Sequence, residues 1–316
     1  MSEADSLENW PETHDMAQLV RDDNGIWHLE GATPEEEASE HGQTQQRYMT
    51  AIDPLFTRAK ATSEFDFLHS LIPVFSLQEP GWDPYETTIG AVLSTLELIK
   101  DTDAFAKARH LQLWLWGHIL EASAPYELLA RLSAVCGGRR PKATHFPDSD
   151  RGLPQSPGKK IDALQREAEG LGMGGAIVPL REIWDGDLRN AVFHADYTLY
   201  GGAVRIPRIG REYSHEEIER VVVRAICVHR ALEALRTLGV GSYEEPTMIS
   251  APAGGFAPGE QAVVIVRRAY GAVGMKDAYT TAQLAQGGIP FRLGIFNEQE
   301  RAMLDADPEL AILPER

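Results

Sequence analysis

The chain has 316 residues, 43% of them hydrophobic, and its 47 acidic side chains against 30 lysines and arginines give a formal charge of −17. That length supports two domains with a sizeable core, and that charge excludes a protein that coats nucleic acid by bulk electrostatics, since phosphate binding rests on counterion release by Lys and Arg. No run approaches the roughly 20 apolar residues of a membrane span, and the acidic first stretch lacks the apolar centre of a signal peptide, so a cytoplasmic protein without a membrane partner is expected.

Residues 1–33 form an acidic head with one small strand candidate, Gly25 to Leu29. In Thr33-Pro34-Glu35-Glu36-Glu37, Thr33 suits a cap, Pro34 the first turn and the glutamates the helix dipole. Tyr48, Ile52, Leu55 and Phe56 follow at helical spacing, which predicts a helix from Pro34 to Thr62. Phe65 to Phe75 is apolar and short, and Pro80-Gly81-Trp82-Asp83-Pro84 is a turn. Three helices come next, over Tyr85 to Lys100, Thr102 to Ala122 and Pro125 to Cys136. Trp114, Trp116, Ile119 and Leu120 make the middle one apolar on more than one side, the mark of a bundle centre. His110 and His118 on that helix lack a nearby carboxylate set and read as packed or half-exposed histidines.

Residues 137–160 are a Gly/Pro/Ser-rich linker whose Arg139, Arg140, Lys142, Arg151, Lys159 and Lys160 outnumber Asp148 and Asp150. It reads either as a solvated connection or as an arm that reaches a phosphate backbone. A helix resumes at Ile161 and is interrupted by Gly170-Leu171-Gly172-Met173-Gly174-Gly175. That run fits GxGxxG in letters only, because a helix precedes it and Pro179 follows where a dinucleotide site needs a strand before and a helix after. Asp187 is placed to cap a helix from Leu188 to about Tyr197. Tyr197 to Pro207 reads as a hairpin turning at Gly201-Gly202, and Ser214-His215-Glu216-Glu217 as the capping box of a last helix to about Leu238.

Beyond Glu245 the texture changes to Pro, Gly and Ala, followed by strand candidates over Gln261 to Arg268 and Ile289 to Phe296. The fold class expected is mainly α: a helical bundle over 34–245 with a β-hairpin insertion, and a small α/β C-terminal appendage over 246–316.

Chemistry is concentrated in Arg189-Asn190-Ala191-Val192-Phe193-His194. His194 can move a proton near neutral pH, and Arg189 can pair with a phosphate and stabilise charge building on it. Asn190 and His194 are i and i+4, so the amide lies on the histidine's face. At about 100° per residue, Arg189 lies roughly 140° round from His194, so the two serve one site only if Arg189 bends back or two subunits share it. The alternative is that Arg189 and Asn190 make buried hydrogen bonds at a helix start while His194 packs against Tyr197. No HExxH, HxH or acidic ligand run points to a metal, no cofactor is implied, and Cys136 and Cys227 read as buried reduced thiols.

This segment resembles the Arg-x4-6-His motif of the HEPN families, in which a polar residue, often Asn, follows the arginine. The resemblance takes in Arg189 to His194, the extension Ala195-Asp196-Tyr197, and a helical layout over about 85–240. It implies a metal-independent endoribonuclease working as a homodimer in defence or stress response, with an antitoxin or other protein partner. His194 would handle the proton of the ribose 2′-hydroxyl or of the leaving oxygen, Arg189 would hold the scissile phosphate, and Asn190 would support the geometry. Arg139, Arg140 and Lys142 would contribute local RNA binding. Members of these families also serve as non-catalytic helical interaction modules, which is the second expectation.

Overall fold

The computed structural model describes residues 19–21, 27–29, 39–72, 84–102, 104–142, 144–148, 152, 154–250, 261–267 and 271–277. Helices dominate: α1 (Glu40–Thr62), α2 (Glu64–Leu71), α3 (Pro84–Lys100), α4 (Phe105–Glu121), α5 (Ser123–Cys136), α6 (Pro157–Gly170), α7 (Val178–Ile183), α8 (Gly186–Phe193) and α9 (His215–Gly241). Strands β1 (Leu19–Arg21) and β2 (Trp27–Leu29) pair with each other. Strands β3 (Thr198–Tyr200), β4 (Ala203–Ile206) and β5 (Arg211–Tyr213) form one antiparallel sheet, and β6 (Met248–Ser250), β7 (Gln261–Arg267) and β8 (Gly271–Asp277) another. The mainly helical class read from periodicity therefore holds. Residues divide into two compact units, Met1–Pro54 with Tyr85–Tyr126 and Phe146–Ala234, and Leu55–Pro84 with Glu127–His145 and Leu235–Arg316.

In the first unit α4 is the central helix. Arg109, Gln112, Leu113, Leu115, Trp116, Ile119 and Leu120 are buried, and the Trp116 indole donates from Nε1 to the Ile183 carbonyl at 3.0 Å, so a large side chain is enclosed without an orphaned donor. Trp114, one of the residues that make this helix apolar on more than one side, is 60% exposed. Helix α8 packs against α4, and buried stripes run along α6 (Ile161, Leu164, Ala168), α8 (Leu188, Ala191, Val192) and α9 (Ile218, Val222, Ala225, Ile226). Glu182 of α7 ties down α1, accepting from Arg47 through both oxygens at 2.7 Å and from the Tyr48 hydroxyl at 2.7 Å. The Arg47 hydrogen bond holds this carboxyl below its ordinary range.

The hairpin stands in the expected register, Thr198 opposite Arg205, Leu199 opposite Val204 and Tyr200 opposite Ala203. Gly201 and Gly202 have φ of 57° and 83°, the two positive values that a tight type I′ turn demands. Sequence reading missed β5, which is only three residues long and extends the hairpin to three strands. Ser214 and Glu217 form the reciprocal capping box of α9, the Ser214 amide donating to Glu217 at 2.7 Å and the Glu217 amide to Ser214 Oγ at 3.2 Å.

In the second unit Phe56, Phe67, Leu68 and Leu71 are buried, with Phe56 and Phe67 edge to face at 6.4 Å. Tyr243 donates its hydroxyl to Glu64 at 2.6 Å. Strand β7 matches the predicted Gln261 to Arg268 segment, and β8 pairs with it through an irregularity between Ile265 and Val266. What is described of the C-terminal region is strand rather than mixed α/β, and the candidate over Ile289 to Phe296 lies outside the described residues.

Two boundaries change. Helix α6 begins at Pro157, inside the stretch read as linker, and Lys160 is buried: its ammonium donates to Ser123 Oγ at 2.9 Å and lies 5.2 Å from the Tyr126 ring centre. It is a structural cation, not part of a basic arm. Both cysteines are buried and reduced. Loss of hydration raises the thiol pKa of Cys136 to about 11 and of Cys227 to about 12.

Candidate functional site

Helix α8 presents the segment. Its N-cap is Asp185 rather than Asp187: Asp185 Oδ1 accepts from the amides of Asp187 and Leu188 at 3.0 Å each. The second oxygen of Asp185 accepts from the Tyr213 hydroxyl and from Arg211 Nη2, both at 2.9 Å. The helix end nearest the motif is thereby tied to β5. Leu188, Ala191 and Val192 turn inward, which leaves Asn190, Phe193 and His194 exposed and Arg189 half-buried.

Arg189 is held on three sides. Its Nε donates to Glu121 Oε1 at 2.6 Å, its Nη1 donates to Asn190 Oδ1 at 3.1 Å, and its guanidinium carbon lies 5.1 Å from the centre of the Phe193 ring. The Phe193 ring lies against α4 at Gly117, where any side chain would begin 3.0 Å from the ring edge. Glycine is what allows this approach, and through the ring it supports the arginine. Asn190 thus orients Arg189, not the imidazole as the i,i+4 spacing suggested.

His194 sits one residue past the end of α8, and the helix closes behind it in a Schellman arrangement. The Ala195 amide donates to Val192 at 3.3 Å and the Asp196 amide to Ala191 at 2.8 Å, with Ala195 at φ 52° in the left-handed position glycine usually fills. The helix therefore ends four residues earlier than periodicity predicted. The His194 ring is exposed and makes no hydrogen bond to another described residue. Tyr197, the packing partner in the alternative reading, pairs with His110, hydroxyl to Nδ1 at 2.7 Å.

Arg139, Arg140 and Lys142 are exposed after α5, where the Arg139 amide donates to the Ala134 carbonyl at 2.9 Å and the Lys142 amide to His145 Nε2 at 3.1 Å. They belong to the second unit, whereas Arg189, Asn190 and His194 belong to the first. Sequence reasoning missed Glu121, which lies 68 residues from Arg189 and carries no motif. Gly117 was a usable signal, a lone glycine between Trp116 and His118 inside a helix.

Among the described residues no group of three His, Cys, Asp or Glu is arranged to hold a metal ion, and no helix is long and apolar enough to cross a membrane. Comparison with protein-family models, curated proteins and solved structures yields no match.

Proposed function

We propose that this chain is a metal-independent endoribonuclease of HEPN type. The observation that carries the reading is the surface end of α8, where an exposed imidazole stands five residues on from a half-exposed guanidinium already oriented by Glu121 and Asn190. In this reading the scissile phosphate engages Arg189, and an imidazole takes the proton of the ribose 2′-hydroxyl as that oxygen attacks phosphorus. The bond from phosphorus to the 5′-oxygen breaks, and that oxygen leaves with a proton, giving a 2′,3′-cyclic phosphate and a 5′-hydroxyl end. A symmetric homodimer supplies the second acid or base, since five residues along a helix set Arg189 and His194 roughly 140° apart. A cytoplasmic defence or stress setting and regulation by a protein partner belong to the same proposal, as does RNA contact through Arg139, Arg140 and Lys142.

The test is cleavage of RNA by the purified chain in the presence of a chelator. His194→Ala removes a proton-transfer group that contributes about 10²–10⁴-fold in rate. The same variant should keep its melting temperature, because the ring is exposed. Sedimentation should give twice 34.9 kDa.

One observation favours a second reading, a non-catalytic helical dimerisation module. Arg189 already has a carboxylate partner, and Phe193 at 41% and Trp114 at 60% expose apolar surface. Intact RNA together with a dimer disrupted by Phe193→Glu would select that reading.

A further inference from the structure

A separate concavity of about 190 Å³ opens in the first unit between α8, β5 and α9, lined by Asp185, Leu188, Arg211, Tyr213, Arg220 and Arg224 among others. Three guanidiniums converge there in a chain whose formal charge is −17. Their acids are unevenly shared. Arg211 is taken up by Asp185 and Asp187 at 2.9 and 3.1 Å. Glu217, the other carboxylate at the rim, accepts the Ser214 amide in the capping box. Arg224 lies within electrostatic reach of Glu182, yet both oxygens of that carboxylate are occupied by Arg47 and Tyr48. Arg220 and Arg224, one turn apart on α9, make no hydrogen bond to a carboxylate of another described residue.

We infer that this concavity is a binding site for a phosphoryl group. Two guanidiniums at i and i+4 can each offer paired N–H donors to tetrahedral oxyanions, and such charge-assisted pairs are the strong hydrogen bonds of protein surfaces. The volume is below the roughly 300 Å³ at which pockets begin to enclose drug-sized ligands, so the site takes the phosphoryl group and leaves what is attached to it outside. The α8 amides do not contribute, because Asp185 already caps them. Leu188 and Val221 supply an apolar floor and Tyr213 a hydroxyl committed to Asp185, which leaves the arginines as the recognition elements. The phosphoryl group can be the end of a small phosphorylated molecule or a phosphodiester of a polynucleotide. The site stands apart from Arg189 and His194 and does not depend on their being catalytic.

Calorimetric titration of the whole chain with inorganic pyrophosphate, and separately with a short oligodeoxynucleotide that has no 2′-hydroxyl to react, distinguishes the two sources. Wild type should bind at least one of them, and R220Q/R224Q should bind it at least about tenfold more weakly. The single variant Arg220→Glu, at an exposed position, should have the same direction of effect. Arg208→Gln, whose residue pairs with Asp196 at 3.1 Å outside the concavity, should not. Pyrophosphate binding that depends on both arginines assigns a small phosphorylated ligand. Oligonucleotide binding alone, with the same dependence, assigns a backbone phosphate. Wild type that binds neither, or binding that survives both the double and the Arg220→Glu variants in folded protein, overturns the site.

Discussion

Glu121 Oε1 stands 2.6 Å from Arg189 Nε, so the carboxylate that closes α4 fixes the direction of the guanidinium on α8. The Arg189 and Glu121 side chains are 24% and 33% exposed, and an ion pair so open to solvent contributes at most about 1 kcal/mol. Its consequence is orientation more than stability. Glu121→Gln keeps an acceptor for Nε and removes the competing charge, and is expected to retain RNA cleavage with tighter RNA association. Glu121→Ala releases the guanidinium, and cleavage should fall by about tenfold or more with a melting temperature changed by a few degrees at most. Equal cleavage rates for the two variants would remove the orienting role.

Gly117 permits the contact that backs Phe193. Gly117→Ala gains roughly 1 kcal/mol of helix propensity and loses a comparable amount by displacing an exposed ring. Stability should be near wild type while the Arg189 stack shifts. The check is cleavage rate against thermal unfolding on one preparation, where a fall in rate with unchanged stability is expected.

Arg109 is 2% exposed, donates through Nη2 to His215 Nδ1 and lies 5.3 Å from the Phe105 ring, while its Nε and Nη1 have no hydrogen-bond partner among the described residues. A buried cation so incompletely satisfied costs desolvation that its contacts repay only in part. Arg109→Met should be neutral or stabilising by about 1–3 kcal/mol. His215→Ala strands the guanidinium further and should destabilise by about 1–3 kcal/mol. Denaturant unfolding of both variants measures the two signs.

His229, 3% exposed on α9, has a pKa lowered from 6.5 to about 4, first by burial and then by Arg230 and His118. Burial also lowers His41 and His69. The folded state therefore binds fewer protons than the unfolded chain between about pH 6.5 and 4, and stability is fully present above that window and lost as pH falls through it. For His229 alone the loss is on the order of 3 kcal/mol. Melting temperature against pH should decline across this window, and His229→Leu should flatten the decline.

The positions of the long helices were legible because apolar residues at i, i+3 and i+4 leave few alternatives, whereas the short α2 was read only as an apolar stretch; the Gly201-Gly202 turn was legible because glycine adopts positive φ without steric cost. The end of α8 was not. Ala195 occupies a left-handed cap without the glycine that marks one, and Asp185 wins the cap over Asp187 through its contacts to β5. Arg189, Asn190 and His194 were singled out by residue type and spacing, which did not fix whether they face solvent or the core. The contacts with Glu121 and of Phe193 with Gly117 were not legible, since an ion pair across 68 residues and a ring resting on a glycine are products of tertiary packing. Lys160 shows the reverse error: counted as surface charge by its neighbours in sequence, it lies in the first turn of α6 and is buried against Ser123 and Tyr126.

The chain's only two thiols are both enclosed, Cys136 donating to the Leu55 carbonyl at 3.3 Å and Cys227 directed at the His41 carbonyl at 3.7 Å. With thiolate formation suppressed at both, alkylating reagents at neutral pH meet an inert background. A cysteine introduced at exposed position 194, or at 220, becomes the single site of covalent labelling. Fluorophores or spin labels can then report separately on the end of α8 and on the arginine concavity without removing either native cysteine.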